Sequence, residues 1–326
     1  MQLRLKAGPA LALAFAGALS PTTASAEVFS VTNDVVDFDR WNYPFNFTPG
    51  TRPTAPTFLA AGTPAFDERD GQFLIGFNTA ALGVPTGRDP GDYQVQSLTI
   101  TATHSTGAFA YDATYDSALA ADTDAGRPIL LTGAGLRGGF TAFTFGAGSA
   151  TAYAENSPFG DNGPTPGAPD AQDRNAFAAA FDGSGNLVDI SNNLGSNFVG
   201  PAFDFTPWAV GQAALTPGDA VVQAVAGVSP GSTFVFTVDL TDPNIRGYVQ
   251  QGFADGGLFF SITSQHETSQ SGGTSPNFYT RNNFDPAAVA PRMSFGLTVV
   301  PEPASLAVLT AAGLAVAGRR GVRHRA

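Results

Sequence analysis

The chain has 326 residues, 16 lysines plus arginines against 27 aspartates plus glutamates, a formal net charge of −11 and no cysteine. The missing cysteines exclude disulfides, zinc-thiolate sites and thiol catalysis. The acidic balance argues against DNA or RNA as a partner, and against adsorption to anionic lipid, because both need clustered positive charge.

The first element is a basic start (Arg4, Lys6) followed by a mainly apolar stretch, Ala7 to Leu19, and Ala24-Ser25-Ala26 ahead of Glu27. Charge, apolar run and a small-residue A-x-A site in that order predict a secretory signal peptide over 1–26, with Ala24 and Ala26 marking the signal peptidase cut. Lys6 is the only lysine. Residues 27–299 therefore hold ten arginines against 26 acidic residues, a net charge of −16, and His104 and His266 are their only histidines. Such a surface favours solubility and is compatible with divalent cations.

From Glu27 onward Gly, Pro, Asp, Asn, Ser and Thr punctuate the chain every 8 to 15 residues. The runs between them alternate with period two: Gln72–Asn78, Tyr93–Thr103, Phe140–Phe145, Thr233–Leu240, Gly257–Thr263 and Met293–Val299. Alternation bounded by turn residues predicts an all-β, antiparallel β-sandwich (jelly-roll-like) ectodomain over 27–299, with the 27 phenylalanines filling its core. Asn175–Phe181 suits a helix or a strand. The turn residues Asp182-Gly183-Ser184-Gly185-Asn186 favour a hairpin into Leu187–Ile190. A short helix is expected from Pro243 to Gln251, with Asp242 as N-cap and Pro243 at the first helical position. The proline-rich stretch Asn156–Asp173 reads as a surface loop.

Candidate chemistry is sparse. Trp41-Asn42-Tyr43-Pro44-Phe45-Asn46-Phe47 is the densest aromatic and amide cluster, and Trp41 and Tyr43 are candidate carbohydrate-binding residues; Trp208 is another stacking candidate. The bland alternative has these rings covering the edge of the sheets. Asp122-Thr123-Asp124-Ala125-Gly126 has alternating oxygen ligands and a glycine turn, so Asp122 and Asp124 are candidate Ca²⁺ ligands, although no glutamate closes an EF-type loop. An ordinary Asp-Gly turn explains the same residues. Asp34/Asp37/Asp39 and Asp67/Glu68/Asp70 are weaker clusters, the latter reading as a turn into the strand after it. Gly227-Val228-Ser229-Pro230-Gly231 matches G-x-S-x-G, but Pro230 has no N–H for an oxyanion hole, so the segment reads as a turn. No phosphate loop, dinucleotide fingerprint or zinc-protease motif occurs. The chain reads as non-catalytic, without a cofactor beyond that calcium ion. A glycosidase-type carboxylate pair is invisible to sequence spacing.

The chain closes on Pro301-Glu302-Pro303, an uncharged apolar run from Ala304 to Gly318, and then Arg319, Arg320, Arg323, His324 and Arg325. The prolines end any strand. The apolar run would span roughly 22 Å as a helix, short against a bilayer core of about 30 Å, and the arginines would stay on the cytoplasmic side. These residues predict a short C-terminal transmembrane helix. Val300 to Leu306 and the arginine cluster resemble the PEP-CTERM sorting signal of Gram-negative bacterial envelope proteins, here over 300–326. The resemblance implies recognition of Pro301, Glu302 and Pro303 by an exosortase, removal of the helix and its Arg319, Arg320, Arg323 and Arg325 tail, and a role beside exopolysaccharide or biofilm. The last third, from Asp242 through Phe260 to Phe295, resembles the closing elements of DNRLRE-type extracellular jelly-roll modules. Together these predict a protein exported through the inner membrane to the cell envelope, outer surface or matrix. Its expected partners are signal peptidase, exosortase, exopolysaccharide and, before processing, the membrane. A polysaccharide-active hydrolase or lyase is the alternative.

Overall fold

Alternating apolar positions put much of the chain into strands, and a computed structural model shows how they pair. It describes residues 25–60, 69–115, 127–160, 174–194, 201–215, 222, 224–268, 274–285 and 288–300. In chain order the strands are β1 (Glu27–Asn33), β2 (Phe38–Asn42), β3 (Thr54–Pro56), β4 (Leu59–Ala60), β5 (Gln72–Phe77), β6 (Tyr93–Thr103) and β7 (Phe109–Asp112). There follow β8 (Ile129–Leu136), β9 (Ala142–Phe143), β10 (Ala152–Tyr153), β11 (Ala176–Phe181), β12 (Leu187–Asp189), β13 (Ala209–Val210), β14 (Gln212–Ala214), β15 (Ala224–Val228) and β16 (Thr233–Thr237). Helix α1 (Pro243–Asp255) precedes β17 (Leu258–Ser264), β18 (Glu267–Thr268), β19 (Asn277–Tyr279) and β20 (Arg292–Val299).

The fold is mostly β, and its two larger sheets are antiparallel. One has the order β1-β20-β6-β16-β14; the other runs β12-β11-β8-β17-β5-β2, with β13 also paired to β8. Four two-stranded pairs complete the set, and two of them, β9 with β10 and β4 with β18, are parallel. Glu27–Val300 forms one compact unit.

Period two decides what each strand buries. Met293, Phe295, Leu297 and Val299 of β20 are buried on one face, each contributing about 2 kcal/mol relative to exposure. One core cluster takes these residues, Leu98 and Ile100 of β6, and Phe234 and Phe236 of β16 from the first sheet. The same cluster takes Phe73, Ile75 and Phe77 of β5, Ile129 and Leu131 of β8, and Phe260 and Ile262 of β17 from the second. The second sheet is covered on its other face as well. Leu130 meets Ile190, Leu194 and Phe205, while Phe38 and Leu74 meet Tyr153 and the rings of Phe140, Phe143, Phe145 and Phe259. Both faces of β5 and β8 are therefore buried, although Gln72–Asn78 alternates in sequence as if one face were exposed.

Several expectations are adjusted. Phe140–Phe145 supplies only the two-residue β9, because its rings turn down onto the second sheet rather than alternating across a ladder. The β16 run stops at Thr237. Asn175–Phe181 forms a strand from Ala176, in line with the favoured hairpin: β11 and β12 close it through Asp182–Asn186. Helix α1 starts as expected, with Asp242 accepting from the N–H groups of Asn244 and Ile245, but continues four residues beyond Gln251 until Gly256 adopts φ 86°. No helix among the described residues is long and apolar enough to cross a membrane. The proposed transmembrane helix and PEP-CTERM residues at 301–326, the signal peptide through Ala24, and Asp122 and Asp124 lie outside the described residues.

Candidate functional site

Trp41 leaves β2 half-buried, and the chain then folds back on itself. The Asn46 amide donates to the Trp41 carbonyl at 2.8 Å and the Asn46 N–H donates to the Tyr43 carbonyl at 3.0 Å. The turn lays Tyr43 on Trp41, ring centroids 4.5 Å apart and 8° from parallel. Tyr43 meets Phe58 edge-on at 5.8 Å and Phe45 at 6.0 Å. Arg52 sits 5.2 Å from the Trp41 ring centroid, and Arg69 lies 4.2 Å from that of Phe45, geometry that suits cation–π attraction. Phe47 beside them is 67% exposed. Burial pushes the Tyr43 phenol up, with Arg69 pulling against it. The Trp41 indole N–H is buried without a hydrogen-bond partner. The patch thus brings Trp41 and Tyr43 together, as the sequence suggested, and adds two guanidiniums that sequence spacing did not single out. Trp208 differs: it is fully buried between Phe181, Tyr248 and Phe260, so it has no face to offer a sugar.

Two charged networks hold this corner of the fold. Asp39 of β2 is 1% exposed. Its backbone N–H donates to Glu155 at 2.9 Å, its Oδ2 accepts from the Arg281 N–H at 2.6 Å, and its Oδ1 lies 3.5 Å from Arg281 Nε. Arg281 also pairs with Glu155 and donates to the Asp37 carbonyl. Burial and the neighbouring Glu155 raise Asp39 to about 7, against the pull of Arg281. The group therefore binds a proton readily, but its oxygens face Arg281 and Glu155 rather than open space. The second network is deeper. Asp70 and Arg174 form a fully buried bidentate pair, both contacts 2.9 Å. Gln72 donates to Asp70 at 2.8 Å and Ser191 at 2.9 Å, and accepts from the Ala178 N–H at 2.9 Å. Asp70 sits just ahead of β5, where the sequence places a turn into that strand, but its side chain is fully buried and ion-paired. Its partner lies 104 residues away in the chain, beyond the reach of any local pattern.

The two histidines among the described residues, His104 and His266, are buried. His104 and His266 stand edge-on to Phe109, at centroid distances of 5.0 and 4.8 Å. His266 Nε2 contacts the Ala110 carbonyl at 3.1 Å, which assigns the ring proton to it and leaves Nδ1 to accept from Ser264 Oγ at 2.9 Å. Burial holds His266 down to about 4. Ser229 of the G-x-S-x-G match is exposed in a turn whose Gly231 has φ 90°. Among the described residues no group of three or more His, Asp or Glu side chains could hold a metal ion. Comparison with known proteins finds no matching family model and no matching curated relative.

Proposed function

We propose that this chain is an exported, non-catalytic protein of the bacterial cell envelope or extracellular matrix, sorted by an exosortase through its C-terminal signal and associated with exopolysaccharide. The observation that carries the reading is the order Pro301-Glu302-Pro303, apolar run, arginine cluster, on a chain that also begins with a signal-peptide pattern. The two antiparallel sheets sharing one apolar core support a jelly-roll-like β-sandwich as the exported part. The Trp41–Tyr43 patch, with Arg52 and Arg69, offers aromatic and guanidinium groups to a saccharide.

Terminal mass analysis of the protein recovered from the envelope tests the sorting. The expected species starts at Glu27 and lacks Arg319–Arg325. A species that keeps those arginines overturns cleavage in favour of a permanent anchor. The hydrolase or lyase alternative draws on one observation, the proximity of two carboxylate residues, with the Asp39 N–H donating to Glu155 at 2.9 Å. Incubation with exopolysaccharide separates the two readings: the proposed function leaves polymer length unchanged, whereas shortening would install the enzyme reading.

A further inference from the structure

The Phe140–Ser149 segment stands between two open cavities. The one of about 580 Å³ is lined by Asp37, Phe38, Glu155, Asn156 and Ser157. The other, about 880 Å³, is lined by Asn78, Tyr248, Gln251, Asp255 and Phe259. Phe140, Thr144 and Phe145 border both, and the larger cavity forms an open groove beside α1 and β17.

Its aromatic floor is fixed in place. Phe259 is stacked between Phe143 (4.5 Å, 16°) and Phe145 (4.9 Å, 20°), and Phe38 meets Phe259 edge-on at 5.6 Å. Bare backbone lets the rings settle: a Cβ on Gly76 would fall 2.5 Å from Phe259, and one on Gly257 would fall 2.7 Å from Phe145. Polar groups stand at the rim. Gln251 donates to Asp255 Oδ1 at 2.9 Å, and both residues line the cavity. Asn78 uses Oδ1 for the Ala81 N–H and keeps its amide donors. Rigid apolar rings flanked by a few planar hydrogen-bonding side chains are what a pyranose needs, apolar C–H face on ring and hydroxyls on amides. Among the described residues the charged ones lining the cavities are Asp37, Glu155 and Asp255, with no lysine, arginine or histidine. Arg281 pairs with Glu155, but among the described residues no cation pairs with Asp255, so a polyuronate would meet like charge at the Gln251–Asp255 end.

We propose that this groove binds an uncharged polysaccharide chain, with Phe140 and Phe145 as its stacking surface and Gln251 and Asp255 as its hydroxyl partners. The proposal rests on the exopolysaccharide reading above and names the charge class and the site of the polymer.

Affinity electrophoresis and calorimetry of the purified full chain with dextran and laminarin (neutral) and alginate (polyuronate) test it. The native chain should bind a neutral polymer and not alginate. Gln251→Ala, at an exposed helix position, should weaken neutral binding about tenfold, the effect of one lost contact near 1.4 kcal/mol. Asp255→Lys should make alginate bind; a base in the last helical turn is favourable, so this variant keeps the fold. Neutral binding that ignores Gln251→Ala and disappears with Trp41→Ala would overturn the groove and leave the matrix reading standing. Preference of the native chain for alginate would overturn the charge class. Failure to bind any of the three polymers would overturn the proposal together with the polysaccharide part of the proposed function.

Discussion

Asp39 and His266 are the two side chains whose burial most plainly ties stability to pH. Asp39 is raised from 3.8 to about 7 by lost hydration, with Glu155 adding to the rise and Arg281 opposing it. The folded state thus keeps a proton that the unfolded chain releases. That contribution is fully present below the unfolded value and is lost as pH rises from about 4 to about 7. His266 works the other way. Burial, helped by the charges of Arg127 and His104, lowers it from 6.5 to about 4, so the unfolded chain gains a proton first and stability falls as pH drops through that range. Thermal melting across a pH series should show Asp39→Asn removing the loss on the rising side and His266→Gln removing the loss on the falling side. A melting profile unaltered by either substitution would refute the assignment. Close packing makes a second residue-level prediction. A Cβ on Gly133 would lie 2.3 Å from the Trp208 ring, whereas one on Gly183 meets nothing within 4 Å. Gly133→Ala should therefore cost about 1–3 kcal/mol in denaturant unfolding and Gly183→Ala close to nothing.

Among the elements, helix α1 and the buried Asp70–Arg174 pair are the sharpest cases. Asp242 caps the helix with two accepted bonds, so Asp242→Ala should lower stability by about 1 kcal/mol, measurable by chemical denaturation. The ion pair joins the residues just before β5 and β11 and is fully buried. Removing one partner strands the other charge, and Asp70→Asn should cost about 3–5 kcal/mol. Arg174→Met should cost a similar amount, while Asp70→Leu with Arg174→Met should recover much of it. A double variant as unstable as the sum of the singles would mean that the pair contributes through its hydrogen-bond network rather than as paired charges. Element by element, legibility followed locality. Tyr93–Thr103 was readable to the residue because its alternation repeats over a long strand, and α1 was readable because its start signal sits in three adjacent residues. The Phe140–Phe145 run misled because its phenylalanines recur as in a strand, yet Phe143 and Phe145 stack on Phe259 of another sheet.

For the molecule as a whole, the pairing of its first and last strands matters most. Glu27 pairs with Val299, and the Val300 N–H donates to the Asp92 carbonyl at 2.8 Å. The chain therefore leaves the compact unit at neighbouring strand ends at the two points where processing is proposed. Pro301 follows Val300 directly, and a peptide-cleaving enzyme needs an extended segment clear of the sheet. A flexible Gly-Ser insertion between Val300 and Pro301 should speed removal of the tail, read by pulse-chase electrophoresis. An unchanged rate would place the rate-limiting step away from access to this strand end.

Local and compositional signals lay in the amino-acid order itself: the pattern read as a signal peptide at one end, the one that resembles a sorting signal at the other, the mainly β character between them and the capped helix. Each needs only neighbours within a few residues, which is the range over which backbone preference and side-chain period act. Trp41 and Tyr43 belonged to that class too, two residues apart on one strand end. The tertiary structure was needed for everything built from distant partners. It brought Arg52 and Arg69 to the aromatic patch, joined Asp39 to Glu155 and Arg281, buried Asp70 against Arg174, enclosed Trp208, and set the Phe140–Phe145 rings beside Gln251 and Asp255. Those pairings depend on which sheet faces which and in what register, and no short-range pattern encodes contacts across a hundred residues.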